Sequence, residues 1–166
     1  FATSGMKTDF DWNTKKGGIV NVKGLTDLVI DGSGVVVQQS GLVNLDGDVK
    51  IKTNKDSGKV AYSVAANSGG VVNVNINGGR DNAGDKTVTL EGNVGAISGF
   101  APNATVNIGI SNEQSSLHGV VVNTTKGKNI GQVNLYVNNN ALWSIESYGA
   151  VDRGFTGSNV GKFVGR

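Results

Sequence analysis

The sequence predicts a right-handed parallel β-helix, an all-β solenoid with about three short strands per turn, on three observations. Glycine, valine and asparagine fill 70 of the 166 positions, and none of the three favours a helix interior. The triplet Val-Asn-aliphatic recurs five times, as Val20-Asn21-Val22, Val43-Asn44-Leu45, Val72-Asn73-Val74, Val106-Asn107-Ile108 and Val133-Asn134-Leu135. Between triplets lie two further short apolar runs bounded by Gly, Asn, Asp or Ser, so each interval holds three strands. The triplets start 23, 29, 34 and 27 residues apart. That spacing is too irregular for helical repeats but fits one β-helix turn with loops of varying length. Parallel crossovers are nearly always right-handed, which sets the expected hand. A β-sandwich also uses short strands and turns, yet it does not require one triplet in every three strands.

The elements follow in order. Residues 1–16, with Phe1, Phe10 and Trp12, are expected to be a lead-in or cap, and residues 17–140 to hold the turns. The first turn comprises strands at 20–22, 28–31 and 35–38, the second at 43–45, 49–52 and 60–64, and the third at 72–74, 87–91 and 94–98. The fourth has 106–108, a long polar loop and 119–123, and the fifth begins at 133–135. With neighbouring strands about 4.8 Å apart, five turns make a rod about 24 Å long. In Val72-Asn73-Val74-Asn75-Ile76-Asn77 the aliphatics share one face and the asparagines the other, so the aliphatics are expected to stack inward and asparagine to face solvent. Asparagine and glycine tolerate positive φ, and Asp31-Gly32, Asp46-Gly47 and Asn77-Gly78 mark corners that need it. A solenoid exposes pairing groups at both ends. Tyr136, Trp143, Tyr148, Phe155 and Phe163, half of the ten aromatics, fall in the last 31 residues, so residues 141–166 are expected to cap the C-terminal end.

A net charge of +2 with scattered lysines makes no field that would attract nucleic acid. The absence of cysteine excludes disulfides and thiolate metal sites and suits an exported chain. No apolar run is long enough for a membrane-spanning helix, and the first ten residues have neither an initiator Met nor a signal-peptide stretch. The chain is therefore expected to be a mature or excised piece.

At 133–143, Val-Asn-Leu-Tyr-Val-Asn-Asn-Asn-Ala-Leu-Trp, followed by Tyr148-Gly149 and Phe155-Thr156-Gly157-Ser158-Asn159-Val160, the sequence resembles the C-terminal part of the passenger domains of bacterial autotransporters, the pertactin-like and AIDA-like β-helices. The resemblance spans the repeat texture from about residue 17 onward. It implies a β-helix delivered to the cell surface by a C-terminal outer-membrane barrel that is not in this chain, secreted through the outer membrane and acting in adhesion, virulence, biofilm formation or self-association. The implied partners are a host or bacterial surface glycan or protein, or a second copy, with no nucleic acid.

No catalytic, cofactor-binding or metal site is expected. His118 is the only histidine; it precedes a strand with no nucleophile motif beside it and reads as a solvent-facing loop residue. The hydrolase elbow, the phosphate loop and the His-Glu-x-x-His zinc motif are missing from the sequence. Asp46 with Asp48, and Asp81 with Asp85, are the acid pairs on which a carbohydrate-active β-helix enzyme, the alternative reading, would depend. Tyr62 and Phe100 are the sole aromatics between residues 13 and 135, which leaves little to build a sugar subsite, so turn chemistry is the preferred role for these acids. Asp31-Gly32-Ser33 and Asp46-Gly47-Asp48 offer oxygens to calcium but match neither the EF-hand loop nor the Gly-Gly-x-Gly-x-Asp repeat. Asn103 and Asn123 fit the glycosylation pattern, which is short enough to be accidental. A structural fibre is a third reading. If the rod binds through loops, the candidates are Arg80, Asp81 and Asp85 in 78–86, Asn112 and Glu113 in 111–117, and Lys126 and Lys128 in 124–131.

Overall fold

The computed structural model describes residues 17–76, 83–97, 103–126, 129–150 and 162–165. Among these there is no helix; fifteen strands carry the fold. They are β1 (Ile19–Val22), β2 (Thr26–Ile30), β3 (Val35–Val37), β4 (Leu42–Leu45), β5 (Val49–Thr53), β6 (Tyr62–Asn67), β7 (Val71–Val74), β8 (Val88–Glu91), β9 (Asn93–Ile97), β10 (Ala104–Ile110), β11 (Ser116–His118), β12 (Val121–Lys126), β13 (Asn129–Val137), β14 (Leu142–Ser144) and β15 (Lys162–Gly165).

Every third strand pairs in parallel with the strand one turn away. The first sheet runs β1-β4-β7-β10-β13, with β15 added beside β13; the second runs β2-β5-β8-β11-β14, and the third β3-β6-β9-β12. The chain is thus a β-solenoid of about four full turns, with β13 and β14 opening a fifth. Among the described residues one pair of strands is antiparallel: Thr125 with Ile130 and Lys126 with Asn129 join the first and third sheets.

Register explains why the triplet is the repeating unit. Val20, Val43, Val72, Val106 and Val133 stand in one column of the first sheet, and Val22, Leu45, Val74, Ile108 and Leu135 in another. The second sheet adds Leu28, Ile51, Leu90, Leu117 and Trp143, and the third Val35, Val64, Val94 and Val121. Apart from Val20, which is exposed, these columns meet in one continuous core. β-branched chains suit such stacks because their stiff rotamers repeat from layer to layer on a pleated surface.

The corners depart from expectation in an informative way. Gly32 has φ +111, as a turn glycine should. Gly47 does not need positive φ: a Cβ there would lie 2.1 Å from the Gly24 carbonyl oxygen, so close approach of two turns requires glycine. The corners Gln38–Gly41, Asn67–Gly70 and Asn138–Ala141 each close with an N–H donated to the carbonyl three residues earlier, at 3.0 to 3.1 Å. Their central pairs, Gln39-Ser40, Ser68-Gly69 and Asn139-Asn140, all have positive φ. Glutamine and serine therefore join asparagine and glycine in the left-handed region.

Three expectations are corrected. The polar loop of the fourth turn contains a strand, β11, which pairs β8 and β14, and His118 lies in that strand. The alternation at 72–77 ends early. β7 stops at Val74, and Asn75, at φ +52 and 2% exposed, is buried against the backbone of Gly84, Lys86 and Gly109 instead of facing solvent. The late aromatics do not form a single cap. Trp143 packs on the core end with its ring centroid 6.3 Å from that of Phe163, and Tyr136 is buried on β13. Tyr148 instead lies far back along the rod, because residues 145–150 fold down its flank. Phe1, Phe10, Trp12, Asn77-Gly78 and Phe155 lie outside the described residues.

Candidate functional site

Two assemblies of side chains stand out on the rod. The first is on the outer face of the first sheet, where the asparagine of every triplet shares one column. Asn44 donates from Nδ2 to Asn21 Oδ1 at 2.7 Å, Asn73 to Asn44 at 2.8 Å, Asn107 to Asn73 at 2.8 Å and Asn134 to Asn107 at 2.7 Å. Gln132 closes the series by donating to Asn134 Oδ1. The four bonds between strands all point one way, so each amide holds its neighbour's orientation. Exposure falls along the ladder, from exposed Asn21 to buried Asn107. The triplet asparagines therefore share the outer face as a bonded ladder, but only Asn21, Asn44 and Asn73 reach solvent; Asn107 and Asn134 are buried, which corrects the expectation that all of them face solvent.

Beside the ladder, on the same face, runs the in-register column Ile19, Leu42, Val71, Thr105 and Gln132. A groove of about 520 Å³ lies over this face, lined by Asn44, Asn73, Asn107, Leu42, Val71 and Asp46 among others. Its volume falls within the range of small-ligand sites.

The second assembly is the strap. After β14 the chain runs back to the second turn, where Gly149 N–H donates to the Lys55 carbonyl and Ala150 N–H to that of Lys59. Asn93, 1% exposed, holds its middle: Nδ2 donates to the Tyr148 carbonyl at 2.7 Å, while Oδ1 accepts from Tyr148 N–H at 3.1 Å and Val120 N–H at 3.3 Å. Glu146 gathers the charged groups. Its carboxylate accepts from Lys55 Nζ at 2.9 Å and Tyr148 Oη at 3.1 Å and stands 3.3 Å from His118 Nδ1. The hydrogen bond from Lys55, then that from Tyr148, lowers the Glu146 pKa, and the same contact with Glu146 raises that of Lys55. Burial first, and the bond to Glu146 second, push the Tyr148 phenol up to about 12. Lys55 Nζ also sits 5.7 Å from the Tyr148 ring centroid, in cation–π range. His118 is therefore a partner of the strap rather than a free loop residue.

The sequence-derived loop residues are scattered. Asp85 is exposed, with Lys86 Nζ 3.7 Å away. Asn112 organises its own turn, accepting from Ser115 Oγ and Gln114 N–H and donating to Thr87 Oγ1, while Glu113 accepts from Gln114 Nε2. The Lys126 backbone belongs to β12; Arg80, Asp81 and Lys128 lie outside the described residues. Asp48 accepts from Thr87 N–H at 2.9 Å, a bond to the next layer rather than within its own turn, while Asp46 lines the groove. The side-chain oxygens of Asn103 and Asn123 accept from Ile130 and Val133 N–H. No group of three or more metal-ligating side chains occurs among the described residues.

Sequence reasoning missed the groove and the strap for different reasons. The groove was signalled by the Val-Asn triplets once register was added. The strap had no such signal, since Asn93 and Tyr148 lie 55 residues apart and share no pattern. No family model matches the chain, and no curated protein or solved structure is significantly similar to it.

Proposed function

We propose that this chain is a non-enzymatic β-helical segment of a bacterial cell-surface protein, a stalk or adhesin of the autotransporter-passenger kind, working in adhesion or self-association. The observation that carries this reading is the flank of the first sheet, where one amide and one neighbouring side chain recur in register and the amides of Asn21, Asn44 and Asn73 remain in contact with solvent. A surface that repeats a weak contact at fixed spacing gains strength by multivalency, without any single strong site. Rigidity supports the same role. The core columns and the ladder hold the flank in one shape, which lowers the ordering cost of contact. Delivery by an outer-membrane barrel comes from the sequence resemblance alone.

The test is display of the chain on a non-adherent bacterium through an unrelated anchor. Attachment to epithelial cells and settling of the culture are then measured against the anchor alone at matched surface level. Increased attachment or clumping is expected. Matched display with neither change contradicts the reading.

A further inference from the structure

We propose that the groove on the first sheet binds a neutral, extended oligosaccharide, with its rings lying at one per strand along the solvent-reached rungs Asn44 and Asn73. The proposal rests on the reading of the rod as an adhesive surface and names the ligand class of that surface.

The ladder supplies the hydrogen bonding. A side-chain amide has two N–H donors and two acceptor positions on its oxygen. Asn44 and Asn73 each use one donor toward the rung before and one acceptor toward the rung after. Each keeps one of either kind, which is the pairing that adjacent sugar hydroxyls demand. Neither amide can turn over without breaking both ladder bonds, so the groups are oriented before any ligand arrives. Rungs recur at the strand spacing of about 4.8 Å, close to the length that one pyranose ring adds to an extended β-linked chain.

The rest of the groove fits the same ligand. Leu42 and Val71 form an apolar strip beside the two rungs and match the C–H faces of sugar rings. Asp46 adds a carboxylate that accepts from hydroxyls and repels anionic polymers. A peptide strand is disfavoured, because the backbone groups of this face are engaged between neighbouring strands and strand addition needs an edge. A second copy of the rod is disfavoured by shape, since two concave flanks laid together leave a gap.

The experiment is isothermal titration of the full chain with β-1,4-linked pentasaccharides of glucose, mannose and N-acetylglucosamine. Maltopentaose serves as a curved control and an oligogalacturonate as an anionic one. Saturable binding of at least one of the three extended neutral sugars is expected, with both controls weaker by roughly tenfold or more. Val71→Arg, which fills the strip, and Asp46→Leu, which removes the exposed carboxylate, should each weaken it by roughly tenfold. Lys50→Ser, on the second sheet, should leave it unchanged. The proposal is overturned if none of the three sugars binds, if either control binds as well as they do, or if both groove variants bind like the parent while melting normally. Displayed chain that still promotes attachment or clumping while no sugar binds would overturn the groove proposal and leave the adhesive reading standing. Loss of both would overturn both.

Discussion

Among the described residues asparagine does several jobs, four of which show how backbone conformation and burial decide between them. In the triplets it sits on the outer face and hydrogen-bonds along the ladder; at 139 and 140 it supplies positive φ at a corner. Asn75 combines positive φ with a buried amide that donates to the carbonyls of Gly84, Lys86 and Gly109 and accepts from Lys86 N–H. It fastens the base of the excursion between β7 and β8. Asn93 clamps the strap. Asn93→Ala leaves the N–H and C=O of Tyr148 and the N–H of Val120 without their partner, and an unsatisfied buried group costs about 1–3 kcal/mol. Urea unfolding is expected to show a loss of at least that size; a loss within about 0.5 kcal/mol, the range of an ordinary surface change, would deny Asn93 its role. The triplet asparagines were legible because alternation fixes their face. Asn75 was not, because it continues the same alternation in sequence and differs only in where β7 ends.

The strap is the element with distinctive chemistry, and its groups titrate in opposite directions. Glu146 has a lowered pKa, so its contribution is present above the unfolded value of 4.5 and is lost as pH falls through the folded one. Lys55 has a raised pKa, so its contribution is present below 10.5 and is lost as pH rises through the folded value. Tyr148 keeps its phenol neutral to about 12 against an ordinary 10.0, so folding stability drains as pH climbs between the two. A difference titration of tyrosinate absorbance between the parent and Tyr148→Phe is expected to show one phenol with a midpoint about 12. Glu146→Gln should lower that midpoint only in part, because burial is the larger cause. A midpoint near 10.0 in the parent would mean that the strap does not bury Tyr148. Short elements were the least legible from sequence. β11 is three residues with one apolar side chain, Leu117, which leaves no period to detect; its neighbours β8 and β14 place it by register.

Across the whole molecule, the rod is a one-dimensional stack in which each layer rests on the next. Damage should therefore depend on position in a column. Ile51→Ala or Leu90→Ala, in the middle of the second-sheet column and fully buried, should cost about 2–5 kcal/mol in denaturant unfolding. Val29→Ala, 75% exposed on the same sheet, should change stability by no more than about 0.5 kcal/mol. Equal costs at all three sites would contradict the stacked core. The solenoid itself was legible because valine and asparagine at fixed offset declare both the strand face and the layer. The groove became visible only when the layers were stacked, since Asn44, Asn73 and Asn107 are 29 and 34 residues apart. The most direct test is nuclear Overhauser contact between asparagine side-chain amides, assigned by removing one rung at a time. The stack predicts contacts from Asn44 to Asn21, Asn73 to Asn44, Asn107 to Asn73 and Asn134 to Asn107, in that order and with no rung skipped. Contacts that join the rungs in another order, or none between them, would contradict the coil and the groove built upon it.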